Sequence, residues 1–150
     1  MRYALGLLVS ILCSAAFAQP IHHPQAQVFF SAESDIEAVI VKEIDNARAK
    51  VWVQAFLFNS EPIAAALIRA RQRGIQVRVV MDKNGSQKKK SQAVNLCRQG
   101  VEVFVDDRHA VAHNKIVLVD EDVVMTGSFN FTEIFTVEAP QLRGGNRATT

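Results

Sequence analysis

Two periodicities alternate along the chain. Ile36, Val39, Ile40, Ile44 and Ala47 recur at three- and four-residue steps, which lays them on one stripe of a helix. Ser34 or Asp35 stands where that helix needs a cap, and it should run to about Ala49. From Val51 to Phe58 both alternating sets are apolar: Trp52, Phe56 and Phe58 on one side, Val53, Ala55 and Leu57 on the other. That pattern predicts a strand covered on both faces. Ile63, Ala66, Leu67 and Ala70 form the stripe of a second helix, which opens at Glu61 with Pro62 in its first turn and closes at Gly74. Ile75 to Met81 reads as a strand, Asp82 to Ser86 as a turn, Ser91 to Gln99 as a helix closed by Gly100, and Val101 to Val105 as a strand. A polar loop, Asp106 to Ala112, carries His109, and the apolar runs Ile116–Val119 and Val123–Met125 add two more strands. With Val28-Phe29-Phe30 as a short opening strand, the order is strand, helix, strand, helix, strand, helix, strand, strand, strand. It predicts an α/β fold, an α-β-α sandwich around a mixed β-sheet, as one domain over 28–132.

The ends follow other rules. Arg2, the apolar stretch Ala4–Ala16 and Ala16-Phe17-Ala18 make residues 1–18 a secretory signal peptide, so the protein should be exported, periplasmic or secreted. The apolar stretch is shorter than the ~20 residues of a spanning helix, so no stable membrane span is expected after cleavage. Residues 19–27 read as a flexible arm, where His22-His23 has no third ligand beside it. Cys13 leaves with the signal; Cys97 is then alone, unable to form an internal disulfide, and is expected as a small buried residue on its helix. Residues 133–150 lack periodicity and form an atypical tail.

Charge changes little in this picture. The net value of +2 makes no global case for a nucleic-acid partner. Locally, Arg69, Arg71 and Arg73 crowd the end of the second helix and read as a solvated face ahead of a DNA-binding one. Lys88-Lys89-Lys90 leaves the C-terminal end of a strand, where α/β sheets place ligands, and is a candidate contact for a phosphodiester backbone.

The chemistry concentrates between His113 and Asn130. Residues two apart on a strand share a face, so His113 and Lys115 should point the same way. A lysine can neutralise phosphate oxygens while an imidazole attacks phosphorus or passes a proton. Asp120 can orient a side chain or balance charge. Gly127-Ser128 brings a hydroxyl and backbone N–H groups to a turn, and Asn130 adds an amide, donors suited to the oxygens of a phosphorane-like transition state. Nothing in this set calls for a metal.

The spacing His113-x-Lys115-x4-Asp120-x6-Gly127-Ser128-x-Asn130 resembles the signature of the phospholipase D superfamily, and AVAHNKIVLVD with VVMTGSFNFT looks most like its small, exported bacterial branch, which contains an EDTA-resistant endonuclease. The resemblance covers roughly Val28 to Thr132. It implies a metal-independent phosphodiesterase, without cofactor, that works through a phosphohistidine. His113, Lys115 and Asp120 would be catalytic, and Lys115, Ser128 and Asn130 would hold the substrate phosphate. A single copy of the motif implies a homodimer sharing one site. The expected substrate is nucleic acid, with little sequence preference. The alternatives are a phospholipase D that converts phosphatidylcholine to phosphatidic acid, and a catalytically defective, truncated remnant. The last rests on the tail, which departs from the family pattern and gives the family's supporting glutamate no counterpart at Glu133 or Glu138, as though the fold were truncated at its C-terminus.

Overall fold

The computed structural model describes residues 25–31 and 33–132. The expected signal peptide, most of the arm and the tail 133–150 lie outside the described residues. Five strands form one mixed sheet: β1 (Lys50–Ala55), β2 (Gln76–Asp82), β3 (Glu102–Asp106), β4 (Lys115–Val119) and β5 (Val123–Thr126), in the spatial order β3-β2-β1-β4-β5. β1, β2 and β3 are parallel; β4 runs antiparallel to β1 and β5 antiparallel to β4. The C-terminal ends of β1, β2 and β3 therefore meet the N-terminal end of β4 along one edge of the sheet.

The helices are α1 (Ile36–Asp45), α2 (Glu61–Gln72), α3 (Lys83–Ser86) and α4 (Ala93–Arg98). Asp35 caps α1 by accepting from the Ala38 N–H, and buried Ser60 caps α2 through the Ile63 N–H. The Ser60 hydroxyl also donates to Glu37 Oε2 at 2.6 Å, which ties α1 to α2. Gly74 and Gly100 follow α2 and α4 with φ of 86° and 78°, a region costly for any residue with a Cβ. Ile44, Leu67, Leu96, Val51, Val79 and Val117 meet in one continuous core between the helices and one face of the sheet.

The α/β class and the mixed sheet are as the sequence predicts, but several elements differ. Among the described helices, α1, α2 and α4 contribute side chains to that one core. On the other face of the sheet, Val124, Leu118, Trp52 and Arg78 stand in one row across β5, β4, β1 and β2, and no described element covers them. Trp52 is 38% exposed and Val124 68%, so β1 is not buried on both sides. Lys50 Nζ and Arg78 Cζ lie 5.2 and 5.9 Å from the Trp52 ring centroid, cation–π contacts that hold a solvent-facing indole in place. Val28-Phe29-Phe30 forms no strand; these residues are exposed and pair with nothing in the sheet. Cys97 is exposed, because α4 buries Ala93 and Leu96 and the next residue turns about 100° away. The turn expected after β2 is the short helix α3.

The three arginines at the end of α2, Arg73 being its C-cap, act within the fold. Arg69 pairs with Asp45 through two nitrogens at 2.7 and 3.2 Å, Arg71 donates to the Gly100 carbonyl, and Arg73 donates to the Ile44 carbonyl. They lash α2 to the end of α1 and to the α4–β3 turn, which accounts for them without a nucleic acid.

Candidate active site

β4 begins at Lys115 and carries it on the core-facing side, aligned with Ala55 of β1. Only 6% of Lys115 is exposed. Its Nζ lies 3.0 Å from His113 Nε2 and donates to the His113 carbonyl at 3.2 Å, while the Phe56 ring centroid is 5.3 Å away. An ammonium has donors and no acceptor, so Nε2 carries the lone pair and the ring proton is assigned to Nδ1. Among the described residues, no carboxylate lies within ion-pair distance of Lys115. A buried cation without a counter-charge is costly, and an anion arriving here would relieve that cost.

His113 itself precedes the strand and is exposed. The edge of its ring packs against Phe56, centroids 4.5 Å apart at 62°. The residues on either side are pinned. The Phe56 N–H donates to the Asn114 carbonyl at 3.0 Å, and the Ala112 N–H donates to Asp82 Oδ2 at 2.9 Å.

β5 returns Ser128 and Asn130 to this same end of the sheet. Thr126 stands opposite Ile116, one residue from Lys115, and Gly127-Ser128 follows directly. Phe131 then docks on β1's continuation: it bridges Phe58, and its carbonyl accepts the Asn59 and Ser60 N–H groups at 2.9 and 3.0 Å. Ser128 is exposed. Asn130 Oδ1 is buried and is the one such side-chain atom left without a partner among the described residues. Rotating the amide would present N–H donors instead, and an orphaned buried polar atom calls for a further group as its partner.

Asp120 goes elsewhere. It follows β4 at the opposite end, about 16 Å of extended chain from Lys115. Its carboxylate accepts from the N–H groups of Arg48, Ala49 and Lys50 at 2.9–3.3 Å, and its own φ is 54°. These bonds, led by that from Lys50, hold its carboxyl below the usual carboxylate range. The structure thus joins His113 to Lys115, carries Ser128 and Asn130 to their end of the sheet, and leaves Asp120 at the other.

Two further carboxylates stand at the His113 end, side by side at the ends of β2 and β3. Asp106 accepts from His109 Nδ1 at 2.8 Å and from two backbone N–H groups; the His109 bond is the chief reason its carboxyl is held low. Asp82 is 1% exposed, and besides Ala112 it accepts from the Gly85 N–H at 2.9 Å. Asp82 lies in what the sequence predicts as an ordinary turn; an Asp closing an apolar strand, with Gly three residues on, is the signal of its second role. A concavity of about 330 Å³ on the open face, lined by Lys50, Trp52, Leu118, Asp120 and Glu121, includes none of His113, Lys115, Ser128 and Asn130. It is not the site.

An imidazole with a free lone pair, an ammonium with no carboxylate partner among the described residues, and a hydroxyl and an amide carried to the same end of the sheet are groups suited to a phosphate. The family described as "Cardiolipin synthase, PLD-like domain" matches residues 40–136, and the chain belongs to this phospholipase D-like family. It is 38% identical over 103 residues to a phospholipase D of Rickettsia bellii, covering 69% of this chain and 51% of that protein. It is 36% identical over 86 residues to the human mitochondrial cardiolipin hydrolase, covering 57% of this chain and 34% of that protein. The crystal structure of the phospholipase D family member Nuc from Salmonella typhimurium matches with a TM-score of 0.69 and 32% identity, over 74% of each chain. The chain spans about half the length of the curated relatives it matches.

Proposed function

We propose that this protein is a metal-independent phosphodiesterase acting on nucleic acid, and that each chain supplies half of a site completed by a second copy. The observation that carries this reading is the buried Lys115 Nζ, without a carboxylate partner among the described residues, 3.0 Å from His113 Nε2. An entering phosphate offers oxygens to Lys115, which releases the Nε2 lone pair. Nε2 then bonds to phosphorus as the bond to the leaving oxygen breaks, and the His113 of the second copy protonates that oxygen. The same imidazole next takes a proton from water, whose oxygen displaces His113 from phosphorus and restores the free enzyme. The two imidazoles work in opposite protonation states, one as nucleophile and one as acid. Ser128 and Asn130 hold the phosphate oxygens. Asp120 supports the fold rather than the reaction.

The lysines favour nucleic acid. A cleft of about 190 Å³, lined by Lys88, Lys90, Ser91 and Thr132, lies beside Gly85, which itself abuts Phe56. A polyanion held at one phosphate would find further cations there. A phospholipase reading draws on the names of the relatives, phospholipase D and cardiolipin hydrolase. Export by the signal at residues 1–18 completes the proposal.

The test uses purified protein in excess EDTA with plasmid DNA and, separately, phosphatidylcholine vesicles, with His113→Ala as control. The expected result is nicked DNA and no released choline. Choline release without nicking would establish the phospholipase. A requirement for divalent metal, or cleavage that survives in His113→Ala, would overturn the mechanism, and inertness of the folded protein toward both substrates would make it a defective remnant.

A further inference from the structure

The carboxylate nearest in sequence to neither motif residue is the one that grips the backbone in front of His113. Asp82 ends β2 and is essentially without solvent contact. One oxygen accepts from Gly85 and caps α3; the other accepts from Ala112, the residue before His113. A second route runs through Gly85. A Cβ built there would sit 1.7 Å from the Phe56 carbonyl oxygen, so only glycine lets α3 close on Phe56. Phe56 in turn packs against the His113 ring and bonds to Asn114.

We propose that Asp82 is a positioning residue for His113: through Ala112, and through Gly85 and Phe56, it sets the imidazole against Lys115 and so fixes the line along which Nε2 meets phosphorus. The proposal rests on His113 being the nucleophile. A buried carboxylate is tolerated only when its oxygens are filled, and here backbone N–H groups fill them. The Ala112 bond is also the largest cause that holds the Asp82 carboxyl below its usual range, against burial and the neighbouring Asp106, so the loop grip and the charge sustain each other.

Asp82→Asn keeps the shape but turns an amide N–H₂ toward one of the donors. Steady-state hydrolysis of bis(p-nitrophenyl) phosphate in EDTA should show kcat lower by roughly 10–100-fold with KM changed less than about threefold, the mark of misaligned reacting atoms. Nitrogen NMR of the His113 ring should show its bias toward the Nδ1–H tautomer reduced. A second variant isolates the loop bond. Replacing Ala112 by lactic acid, a backbone ester, removes the donated N–H and leaves Asp82 and the α3 cap intact; it should reproduce both changes, and it decides the question if Asp82→Asn does not fold. Folded variants with kcat within about twofold of the parent and unaltered His113 ring signals, differing only in melting temperature, would overturn the proposal. If the parent is itself inert in EDTA, the phosphodiesterase reading fails, and the NMR comparison alone judges Asp82.

Discussion

Lys115 and Asp120 mark opposite bargains between stability and chemistry. Lys115 is buried beside a histidine and an aromatic ring, with no carboxylate to balance it among the described residues. Lys115→Met keeps the length and removes the charge. Its melting temperature should rise, while EDTA-insensitive diester hydrolysis falls by at least about 100-fold, the scale of losing a group that stabilises transition-state charge. Asp120 gathers three N–H groups of the α1–β1 connection onto one carboxylate. Asp120→Asn should cost about 1–2 kcal/mol, a fall of roughly 5–10 °C, with kcat of the folded protein nearly unchanged. A pH series adds the sign. The folded pKa of Asp120 is depressed, so its stabilisation is complete above the unfolded value near 3.9 and is lost as pH falls through the lower folded value. Below about pH 4 the parent should therefore lose melting temperature faster than Asp120→Asn, whose amide does not titrate. Parallel acid slopes for the two proteins would contradict this.

Among the elements, α2 shows how one residue secures two helices. Ser60 accepts from Ile63 to start α2 and donates to Glu37 on α1, out of contact with solvent. Ser60→Ala should destabilise by about 1–2 kcal/mol, read by chemical denaturation, and leave activity per folded molecule intact because the cap lies outside the His113–Lys115 contact. Helix ends are legible in sequence: Glu61-Pro62 announces a start, as Gly74 and Gly100 announce ends, since each need is written into the residue type; the cap Ser60 itself is found only in the structure. The apolar run Ile116–Val119 was legible for the same reason, and with it the His113–Lys115 pairing. What the chain conceals depends on distant partners. Asp82-Lys83-Asn84-Gly85-Ser86 is equally a turn sequence, and only the approach of Gly85 to Phe56 and the reach of Asp82 to Ala112 make it a helix and a clamp. Val28-Phe29-Phe30 has strand-like residues but pairs with no strand of the sheet, and apolarity alone does not make a strand. Asp120 belongs to the motif by spacing, yet the antiparallel course of β4 sends it to the far end.

The whole molecule raises the question of what completes it. The motif occurs once, and the sheet face bearing Trp52, Phe104 and Val124 is open among the described residues. One His113 can be nucleophile or acid toward a given phosphate but not both at once, so the proposed reaction needs a second imidazole. His109 is poorly placed to serve within the same chain: it is held by Asp106 on β3, while His113 sits against Phe56 of the β1 edge, two strands across. In the dimer proposed above, the second imidazole comes from another copy across a twofold axis. Co-refolding the parent with inactive His113→Ala measures this directly. If both copies must contribute His113, a one-to-one mixture assembles at random and retains about a quarter of the parent's activity, because only parent–parent pairs work. If each chain acts alone, about half survives. A result at one half, or a single-chain mass on a sizing column for protein that still turns over, would place the acid within the protomer. A result at one quarter, with a two-chain mass, would establish that the site is shared.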